Sequence, residues 1–199
     1  MTDKVLFITD AYKDLNIRKD TSILMIEEAI SLGFNSFQCE INDLYIDEGI
    51  VYATSREILS AGSSQVEGIS KQEIRLSDFK FSFMRKDPPV NESYINALHL
   101  LGLAEKQGAV VFNKPTSIKE FNEKIFALHF KEFTPKTLVT SNINKIENFF
   151  ELHKTIIIKP LDGMGGASIY KIDELNEENK DLLIKMTNSQ QTHIICQEF

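Results

Sequence analysis

The sequence is poor in cysteine and has no long apolar run. Its two cysteines, Cys39 and Cys196, are too far apart for a metal-binding or redox motif. Both lie in apolar segments that read as strands, which predicts buried thiols in a reducing cytosol. No stretch approaches the ~20 apolar residues of a membrane span. The apolar run near the N-terminus breaks at Thr9 and Asp10, too early for a signal peptide. These features predict a soluble, cytoplasmic protein that does not engage a membrane.

Positive charge and the common catalytic motifs are also scarce. The chain has 22 Lys and Arg against 29 Asp and Glu, a net charge of -7, and no basic stripe. This balance argues against a nucleic-acid partner. Its four histidines, His99, His129, His153 and His193, have no metal-ligand spacing. No G-x-S-x-G motif or Ser-His-Asp pattern is present, which argues against a nucleophilic hydrolase.

Strands and helices alternate through the first part of the chain. Asp20 or Thr21 can cap a helix that ends near Gly33, and Asn91 can cap another that ends at Gly108. The predicted strands are KVLFITD, FNSFQCEI, FKFSFMR and AVVFN, with LYIDEGIVYA as a hairpin. This order predicts an α/β class fold, with a doubly wound domain over residues 1–116.

The second part, residues 117–199, has a different pattern. Ser117 and Glu120 have capping-box spacing at the start of SIKEFNEKIFALHF. After TPKTLVT come a helix in INKIENFFELHK, the segment TIIIKP, a glycine loop, ASIYKI, a helix near Glu177 to Met186 and the strand THIICQEF. Two strands directly flank the glycine loop, so we expect them to pair antiparallel in an α+β domain.

The glycine loop lies in IIIKPLDGMGGASIYKI, with glycines at 163, 165 and 166. It matches neither the Walker A pattern nor G-x-G-x-x-G, and the segment after it reads as a strand. Glycine allows a backbone to approach an anion closely with its N–H groups, and Lys159 before the loop can add a positive charge. The residues alone leave two interpretations open, a phosphate-binding loop and a tight turn without a ligand.

Three charged positions are further candidates. Lys124 can bind an anion, or can form a surface ion pair with Glu120 four residues earlier. Arg85, in MRKDPPV, follows a predicted strand at the sheet edge where α/β proteins bind ligands, and can clamp a carboxylate. The segment NIRKDTS leads into a helix N-terminus, which favours anions. The alternative for MRKDPPV is a charged surface loop. The alternative for NIRKDTS is a segment that only caps the helix.

Together these segments resemble the bacterial type of glutathione synthetase, a family of the ATP-grasp superfamily. The resemblance covers essentially the whole chain and rests on NIRKDTS, INDLY, MRKDPP, VFNKPTSIKEFNEKIFALHF, FTPKTLVT and IIIKPLDGMGGASIYKI. It implies a Rossmann-like (pre-ATP-grasp) parallel-sheet domain over residues 1–116. The first α+β lobe of an ATP-grasp fold, truncated, would then occupy residues 117–199.

The resemblance also implies an activity. Members of the family join γ-glutamylcysteine to glycine with ATP and Mg²⁺, through an acyl phosphate. The implied partners are these small molecules, and the whole protein is expected to be a homo-oligomer. Two alternatives stay open: another ATP-grasp ligase, such as one that adds amino acids to a peptide or joins two D-alanines, and a non-catalytic nucleotide-binding module.

Site residues follow from the resemblance by position. Lys124 and Lys159 match the two lysines that contact the ATP phosphates. The residues that match the glycine loop folding over those phosphates are Gly163, Met164, Gly165 and Gly166. The residues that match the start of the hinge strand at adenine are Gln197, Glu198 and Phe199. Candidate substrate-binding residues are Arg85, Asp87 and Asp20.

One departure concerns the length of the chain. Members of the family continue past the position of Phe199, and the part beyond it carries the acidic and asparagine ligands of Mg²⁺. We therefore expect no metal ligands in this chain, and we expect the chain by itself to be an inactive or incomplete fragment.

Overall fold

The computed structural model describes residues 2–60, 70–163, 166 and 168–199. Contacts divide the chain into two units, Met1–Glu120 and Phe121–Phe199. Each unit is built on a β-sheet of its own. Within the described ranges, no helix is long and apolar enough to cross a membrane.

The first unit contains seven described strands and three α-helices. The strands are β1 (Lys4–Ile8), β2 (Asn35–Cys39), β3 (Leu44–Asp47), β4 (Ile50–Ile58), β5 (Gln72–Arg75), β6 (Phe81–Met84) and β7 (Val111–Phe112). The helices are α1 (Thr21–Ser31), α2 (Glu92–Lys106) and α3 (Pro115–Glu120).

The sheet of this unit is parallel at its centre and antiparallel at one side. Its order is β3-β4-β2-β1-β6-β7, with β5 also paired to β4. Strands β2, β1, β6 and β7 are parallel, whereas β4 runs antiparallel to β2, β3 and β5. The predicted hairpin is confirmed, with a turn at Glu48 and Gly49 where φ is 44° and 82°. Strand β5 was not predicted.

Alternation along β1 explains why helices pack on both faces of the sheet. Leu6 and Ile8 are buried in the cluster that contains α2, whereas Val5 and Phe7 are buried in the cluster that contains α1. Because successive strand residues point to opposite faces, one strand supplies both cores. The predicted doubly wound arrangement is confirmed.

Both predicted helix caps in this unit are present. Asp20 accepts a hydrogen bond from the amide of Ser22 at 2.7 Å, and Asn91 accepts one from the amide of Tyr94 at 3.0 Å. Each bond satisfies an amide that has no partner within its helix. These caps fix where α1 and α2 begin, at the end of the loops that follow β1 and β6.

The described part of the second unit consists of a four-stranded antiparallel sheet and three α-helices. Its strands are β8 (Thr137–Thr140), β9 (Ile156–Pro160), β10 (Tyr170–Ile172) and β11 (Ile194–Glu198), in the order β10-β9-β11-β8. Its helices are α4 (Glu123–Phe126), α5 (Ile143–His153) and α6 (Glu177–Met186). Strands β9 and β10 pair antiparallel on either side of the glycine loop, as predicted.

The predicted helix start at Ser117 is wrong. Helix α3 already begins at Pro115, so Ser117 lies inside it. Proline suits a first helical position because it has no N–H to satisfy. A separate helix, α4, then begins after Asn122, whose side chain accepts the amides of Lys124 and Ile125. The predicted single helix is therefore two short ones.

One face of the second sheet packs against α5 and α6. The strand residues in this core are Ile156, Ile158, Ile172, Ile194 and Cys196, and the helix residues include Ile146, Phe150 and Leu183. Alternation places Lys159, Gln197 and Thr137 on the opposite face of the sheet. All three are partly exposed and share this face with the apolar residues Ile157, Ile195 and Val139. We call it the polar face because its polar side chains have no counterpart in the apolar core on the other side.

Candidate functional site

A directed row of hydrogen bonds crosses the polar face of the second sheet. Lys159 Nζ donates to Gln197 Oε1 at 2.8 Å, and Gln197 Nε2 donates to Thr137 Oγ1 at 3.1 Å. The Thr137 hydroxyl donates in turn to the carbonyl of Pro135 at 2.8 Å. Because each group donates to the next, the row orients the Gln197 amide and holds the Lys159 ammonium in place.

Strand register explains why residues so distant in sequence meet in this row. Gln197 pairs directly with Thr137 across β11 and β8. Lys159 pairs with Ile195 across β9 and β11, so Gln197 is its diagonal neighbour on the same face. Lys159 and Gln197 were predicted from the sequence as site residues, whereas Thr137 was not. Strand alternation along TLVT puts Thr137 and Val139 on the same face of the sheet. This pattern could have predicted the position of the Thr137 side chain.

The start of the glycine loop is held by α4 and its cap. Asn122 Nδ2 donates to the carbonyl of Leu161 at 3.1 Å, and Lys124 Nζ donates to the carbonyl of Gly163 at 2.5 Å. Lys124 also contacts the Glu123 carboxylate at 2.9 Å. The structure thus brings the Lys124 ammonium to the loop, and its binding of an anion stays a prediction.

The far side of the loop is described in part. Gly166 has φ of 77°, a conformation that favours glycine. Ser168 has φ of 59°, also in the left-handed region. Two of the predicted loop residues, Met164 and Gly165, lie outside the described residues. Gly163 and Gly166 are therefore the predicted glycines that the structure places at the loop.

The end of β11 is tied to the rest of its sheet. Glu198 accepts the Lys136 amide at 2.9 Å and contacts His153 at 3.3 Å. The amides of Glu198 and Phe199 donate to the carbonyls of Lys136 and Thr155. The Phe199 ring is 76% exposed and lies 4.4 Å from Lys171 Nζ. The predicted contact of this backbone with adenine stays a prediction, and these two amides are already in use.

In the first unit, Arg85 contacts the start of α1. Its guanidinium donates to Thr21 Oγ1 at 2.7 Å and to Ser22 Oγ at 3.3 Å. The Asp20 carboxylate caps the same helix. The structure therefore brings together two predicted positions, Arg85 and Asp20, that are far apart in sequence, because both follow parallel strands at the same edge of the sheet.

A second charged group lies beside them. Lys86 Nζ contacts Asp10 Oδ1 at 2.7 Å, and the Asp87 amide donates to Asp10 Oδ2 at 3.1 Å. Burial, followed by the nearby Asp87 carboxylate, raises the pKa of the Tyr94 hydroxyl, while Arg85 opposes that increase. Asp10 and Tyr94 were not singled out from the sequence, since only the fold brings them to Asp87.

Both cysteines are buried free thiols, as predicted. Burial raises the pKa of Cys196 to about 12. Burial, followed by the carboxylates of Asp43 and Glu40, raises the pKa of Cys39. A thiol that stays protonated is a poor nucleophile and a poor metal ligand, so neither residue is a candidate for catalysis.

The arrangement is suited to binding anions rather than to covalent catalysis. Lys159 and Lys124 supply positive charge near a glycine loop, and Arg85 supplies a guanidinium in the other unit. Among the residues that the structure describes, no group of three or more His, Cys, Asp or Glu side chains could hold a metal ion. The location of metal ligands elsewhere in the protein stays a prediction.

Comparison with known proteins agrees with the two-part organisation. Residues 4–119 match the family model of the prokaryotic glutathione synthetase N-terminal domain, and residues 123–199 match that of its ATP-grasp domain. The chain is 41% identical over 199 residues to a glutathione synthetase of Vibrio parahaemolyticus, and 40% identical over 202 residues to one of Vibrio vulnificus. These alignments cover 98% and 100% of this chain and 63% of each relative.

A solved structure shares the fold at much lower identity. D-alanyl-alanine synthetase A from Vibrio cholerae superimposes with a TM-score of 0.63 and 11% identity, over 100% of this chain and 61% of that one. At this identity the likeness concerns the fold alone and carries no function over to this chain. Because the two family models together match nearly all of its residues, the chain belongs to the prokaryotic glutathione synthetase family.

Proposed function

We propose that the whole protein is a glutathione synthase, an ATP-dependent ligase that joins γ-glutamylcysteine to glycine. The observation that carries this proposal is the match of both family models along the chain. The chain spans about 63% of the length of the curated relatives it matches. The activity is therefore proposed for the protein at the length of those relatives.

The proposed reaction has two steps. In the first, a carboxylate oxygen of the dipeptide attacks the γ-phosphorus of ATP, which forms an acyl phosphate and releases ADP. In the second, the glycine amine attacks the acyl carbon, which forms the amide bond and releases phosphate and a proton. Both steps move negative charge among phosphoryl oxygens, so fixed positive charge stabilises their transition states.

We assign Lys159 and Lys124 to the phosphates of ATP. Lys159 is supported by the hydrogen-bonded row that fixes its ammonium on a polar sheet face. Lys124 is supported by its contact with Gly163 at the loop. Gly163, Met164, Gly165 and Gly166 would close over the phosphates, and Gln197, Glu198 and Phe199 would lie near adenine.

We assign Arg85 to a carboxylate of the dipeptide. Its two hydroxyl contacts, to Thr21 and Ser22, hold the guanidinium in position. Arginine has five N–H donors, so further donors remain for a ligand. Asp87 and Asp20 are proposed neighbours of the substrate, although the carboxylate of Asp20 also caps α1.

We also propose that the whole protein uses Mg²⁺, lies in the cytoplasm and forms a homo-oligomer. Mg²⁺ prefers carboxylate oxygens together with nucleotide phosphates. The described residues contain no carboxylate cluster suited to it, so no step is assigned to the metal here. When bound, the ion would neutralise charge on the phosphates.

A binding experiment tests the assignment of Lys159. Isothermal titration of the chain with ATP should give a measurable affinity, and Lys159→Met should weaken it about 10- to 100-fold, because a hydrogen bond to a charged group contributes ~1.5–3 kcal/mol. Lys185→Met is the matched control, since Lys185 lies exposed on α6. Equal ATP affinities of the two variants would show that Lys159 does not contribute to ATP binding.

A ligase assay tests the substrate assignment. A protein that extends to the length of the curated relatives should release ADP only when γ-glutamylcysteine and glycine are both present, and glutathione should accumulate. The panel should include D-alanine and amino acids offered to a peptide acceptor. A preference for either of these would favour the other ATP-grasp ligases, and ATP binding without any turnover would favour a nucleotide-binding module.

A further inference from the structure

An apolar groove lies on the face of the first sheet that α1 covers. It has a volume of about 450 Å³, and its floor contains Val5 and Phe7 of β1 and Phe81 and Phe83 of β6. Side chains of α1 form its wall, and Glu28 is the single charged residue of the lining. We call it the α1 groove. Its lining contains no residue assigned above to ATP or to the dipeptide.

The α1 groove is open because helices cover this face of the sheet only in part. The strands of a parallel sheet are normally covered on both faces. On the opposite face, α2 and α3 pack against the strands. On this face, α1 packs on β1 and β2, and the described residues of the first unit supply no second α-helix to it. The part of the face formed by β6 and β7 is therefore left open.

Aromatic rings continue the floor of the groove across these open strands. Phe83 stacks on Phe7 with ring centroids 5.3 Å apart and on Phe112 of β7 with centroids 5.6 Å apart. Phe112 is 47% exposed and Val110 is 44% exposed, whereas Val111 between them is buried in the core of the opposite face. Strand alternation therefore turns Phe112 and Val110 toward the open face.

Helix α1 adds an exposed apolar side next to this floor. Leu24 is 63% exposed and Leu32 is 66% exposed, and both line the groove. Leu24, Glu28 and Leu32 follow each other at four-residue spacing, so they share one side of the helix. The surface thus combines the apolar side of a helix with an uncovered strip of sheet.

The exposed apolar area is that of one half of a homodimer interface. A whole aromatic side chain buries about 150–250 Å², and on this scale the exposed fractions amount to roughly 500 Å² for the set Leu24, Leu32, Phe81, Phe83, Val110 and Phe112. A stable interface buries about 800 Å² per partner, of which about 65% is apolar in homodimers. The surface around the groove supplies the apolar area that such an interface needs.

We propose that the α1 groove is the contact surface for a second copy of this chain, whose α1 helix fills it. In a two-fold dimer both copies use the same surface, so each α1 would lie over β6 and β7 of the other copy. Two neighbouring strands about 4.8 Å apart offer a width of roughly 10 Å, which one α-helix fills. The inference rests on the homo-oligomer of the proposed function and names its surface.

The position of α1 along the sheet decides which residues would meet. Arg85, directly after β6, contacts Thr21 in the first turn of α1, and the helix runs back along the sheet because it joins the parallel strands β1 and β2. Leu24 therefore lies near the level of Phe83, which pairs with Phe112. With the two-fold axis parallel to α1, Leu24 of each copy would contact Phe83 and Phe112 of the other.

Sedimentation equilibrium of the chain tests the proposal. We expect a monomer–dimer equilibrium with a Kd in the micromolar range or tighter, because interfaces of this size span micromolar to picomolar affinities. A chain that stays monomeric at about 100 μM would overturn the proposal.

Variants test whether this surface forms the dimer. Leu24→Asp and Phe112→Asp should each raise the Kd of the dimer about 10-fold or more, because each brings a carboxylate into an apolar interface. Phe133→Asp is the matched control, since Phe133 is 83% exposed but lies in the second unit. Circular dichroism checks that each variant keeps its fold. A Kd that is the same in all three variants would place the contact elsewhere and overturn the proposal.

A mixing experiment tests the two-fold arrangement. Leu24→Lys and Phe112→Asp should each dimerise poorly alone. Their mixture should form a heterodimer, because one of its two symmetric contacts is native and the other pairs Lys with Asp. A mixture that associates no better than either variant would show that α1 does not lie over β7 of a second copy.

The outcome is separable from that of the proposed function. Leu24 and Phe112 lie in the first unit and Lys159 lies in the second, so Leu24→Asp should bind ATP with unchanged affinity. The same variants are then made in a protein of the length of the curated relatives. If that protein forms oligomers that neither Leu24→Asp nor Phe112→Asp weakens, another part of the protein covers the groove. In that case this inference is wrong, while the proposed homo-oligomer and ligase activity stand.

Discussion

Gln197 is the central side chain of the hydrogen-bonded row on the second sheet. It accepts from Lys159 and donates to Thr137, so its amide has one orientation that satisfies both neighbours. In the proposed function Gln197 acts through Lys159, as a positioning residue. A neutral amide in this place orients the lysine without cancelling its charge.

We expect Gln197→Glu to weaken ATP binding more than Gln197→Leu does. A carboxylate beside Lys159 would form an ion pair of ~0.2–1 kcal/mol and would also repel the phosphates. Gln197→Leu removes the orientation but adds no charge. Titration with ATP at low and high salt checks this, because only the defect of Gln197→Glu should shrink as salt rises. The opposite ranking would show that orientation matters more than charge.

The buried thiol of Cys196 predicts a loss of stability at alkaline pH. Its pKa rises from 9.0 to about 12 on folding, so the unfolded chain releases the proton first. The free energy of unfolding is therefore unaffected below pH 9 and falls as the pH rises from 9 toward 12, by about 2 kcal/mol near pH 10.5.

Urea denaturation between pH 7.5 and 10.5 measures this slope. Cys196→Ala should be less stable at every pH because it leaves a cavity, but its stability should fall less steeply above pH 9. Parallel curves for the two proteins would assign the alkaline loss to other groups, such as Tyr94 and Cys39, whose pKa values are also raised.

At the scale of elements, the short helix α4 supports the glycine loop. Asn122 caps this helix and also donates to Leu161 at the start of the loop. Lys124, in the first turn of α4, reaches the carbonyl of Gly163. The break between α3 and α4 therefore matters for the loop. In a continuous helix, the Asn122 side chain could not both cap α4 and donate to the Leu161 carbonyl.

Asn122→Ala should reduce stability by ~1 kcal/mol through the lost cap and should also weaken ATP binding severalfold. The matched control is Asn142→Ala, because Asn142 caps α5 by accepting the Lys145 amide at 3.1 Å and makes no hydrogen bond to the described residues of the loop. Both variants should lose similar stability. ATP binding that falls equally in the two would assign the effect to stability alone.

At the scale of the whole molecule, each unit has its own packed core. Leu98 of α2 is 0% exposed within the first core, whereas Leu24 of α1 is 63% exposed. Burial of one leucine side chain contributes roughly 1.5–3 kcal/mol to the free energy of unfolding. Leu98 should therefore contribute much more to stability than Leu24.

Leu98→Ala should reduce the free energy of unfolding of the dilute, monomeric chain by ~2–5 kcal/mol, and Leu24→Ala by less than ~0.5 kcal/mol. Urea denaturation followed by circular dichroism measures both. A large loss in Leu24→Ala would mean that this leucine is covered within the monomer. A small loss in Leu98→Ala would mean that the core around α2 relaxes to fill the space.

Local signals predicted the elements well where a cap or a turn residue marks them. Asp20, Asn91 and the Glu48-Gly49 turn lie where the patterns placed them, since their hydrogen bonds and φ values are satisfied by near neighbours. The start of α3 was predicted too late in the chain. Ser117 and Glu120 have capping-box spacing, but the helix already begins at Pro115. Strand β5 was missed because only its pairing with β4 defines it.

The sequence alone determined the family, the alternation of elements and the burial of both cysteines. These depend on composition and on contacts within a few residues. Only the tertiary structure decided that Lys159, Gln197 and Thr137 form one row, that Arg85 reaches Thr21 and Ser22, and that Phe83 and Phe112 stack on one sheet face. Strand register brings these residues together, and register is settled when whole sheets pack, because a shift by one residue would turn every side chain to the opposite face.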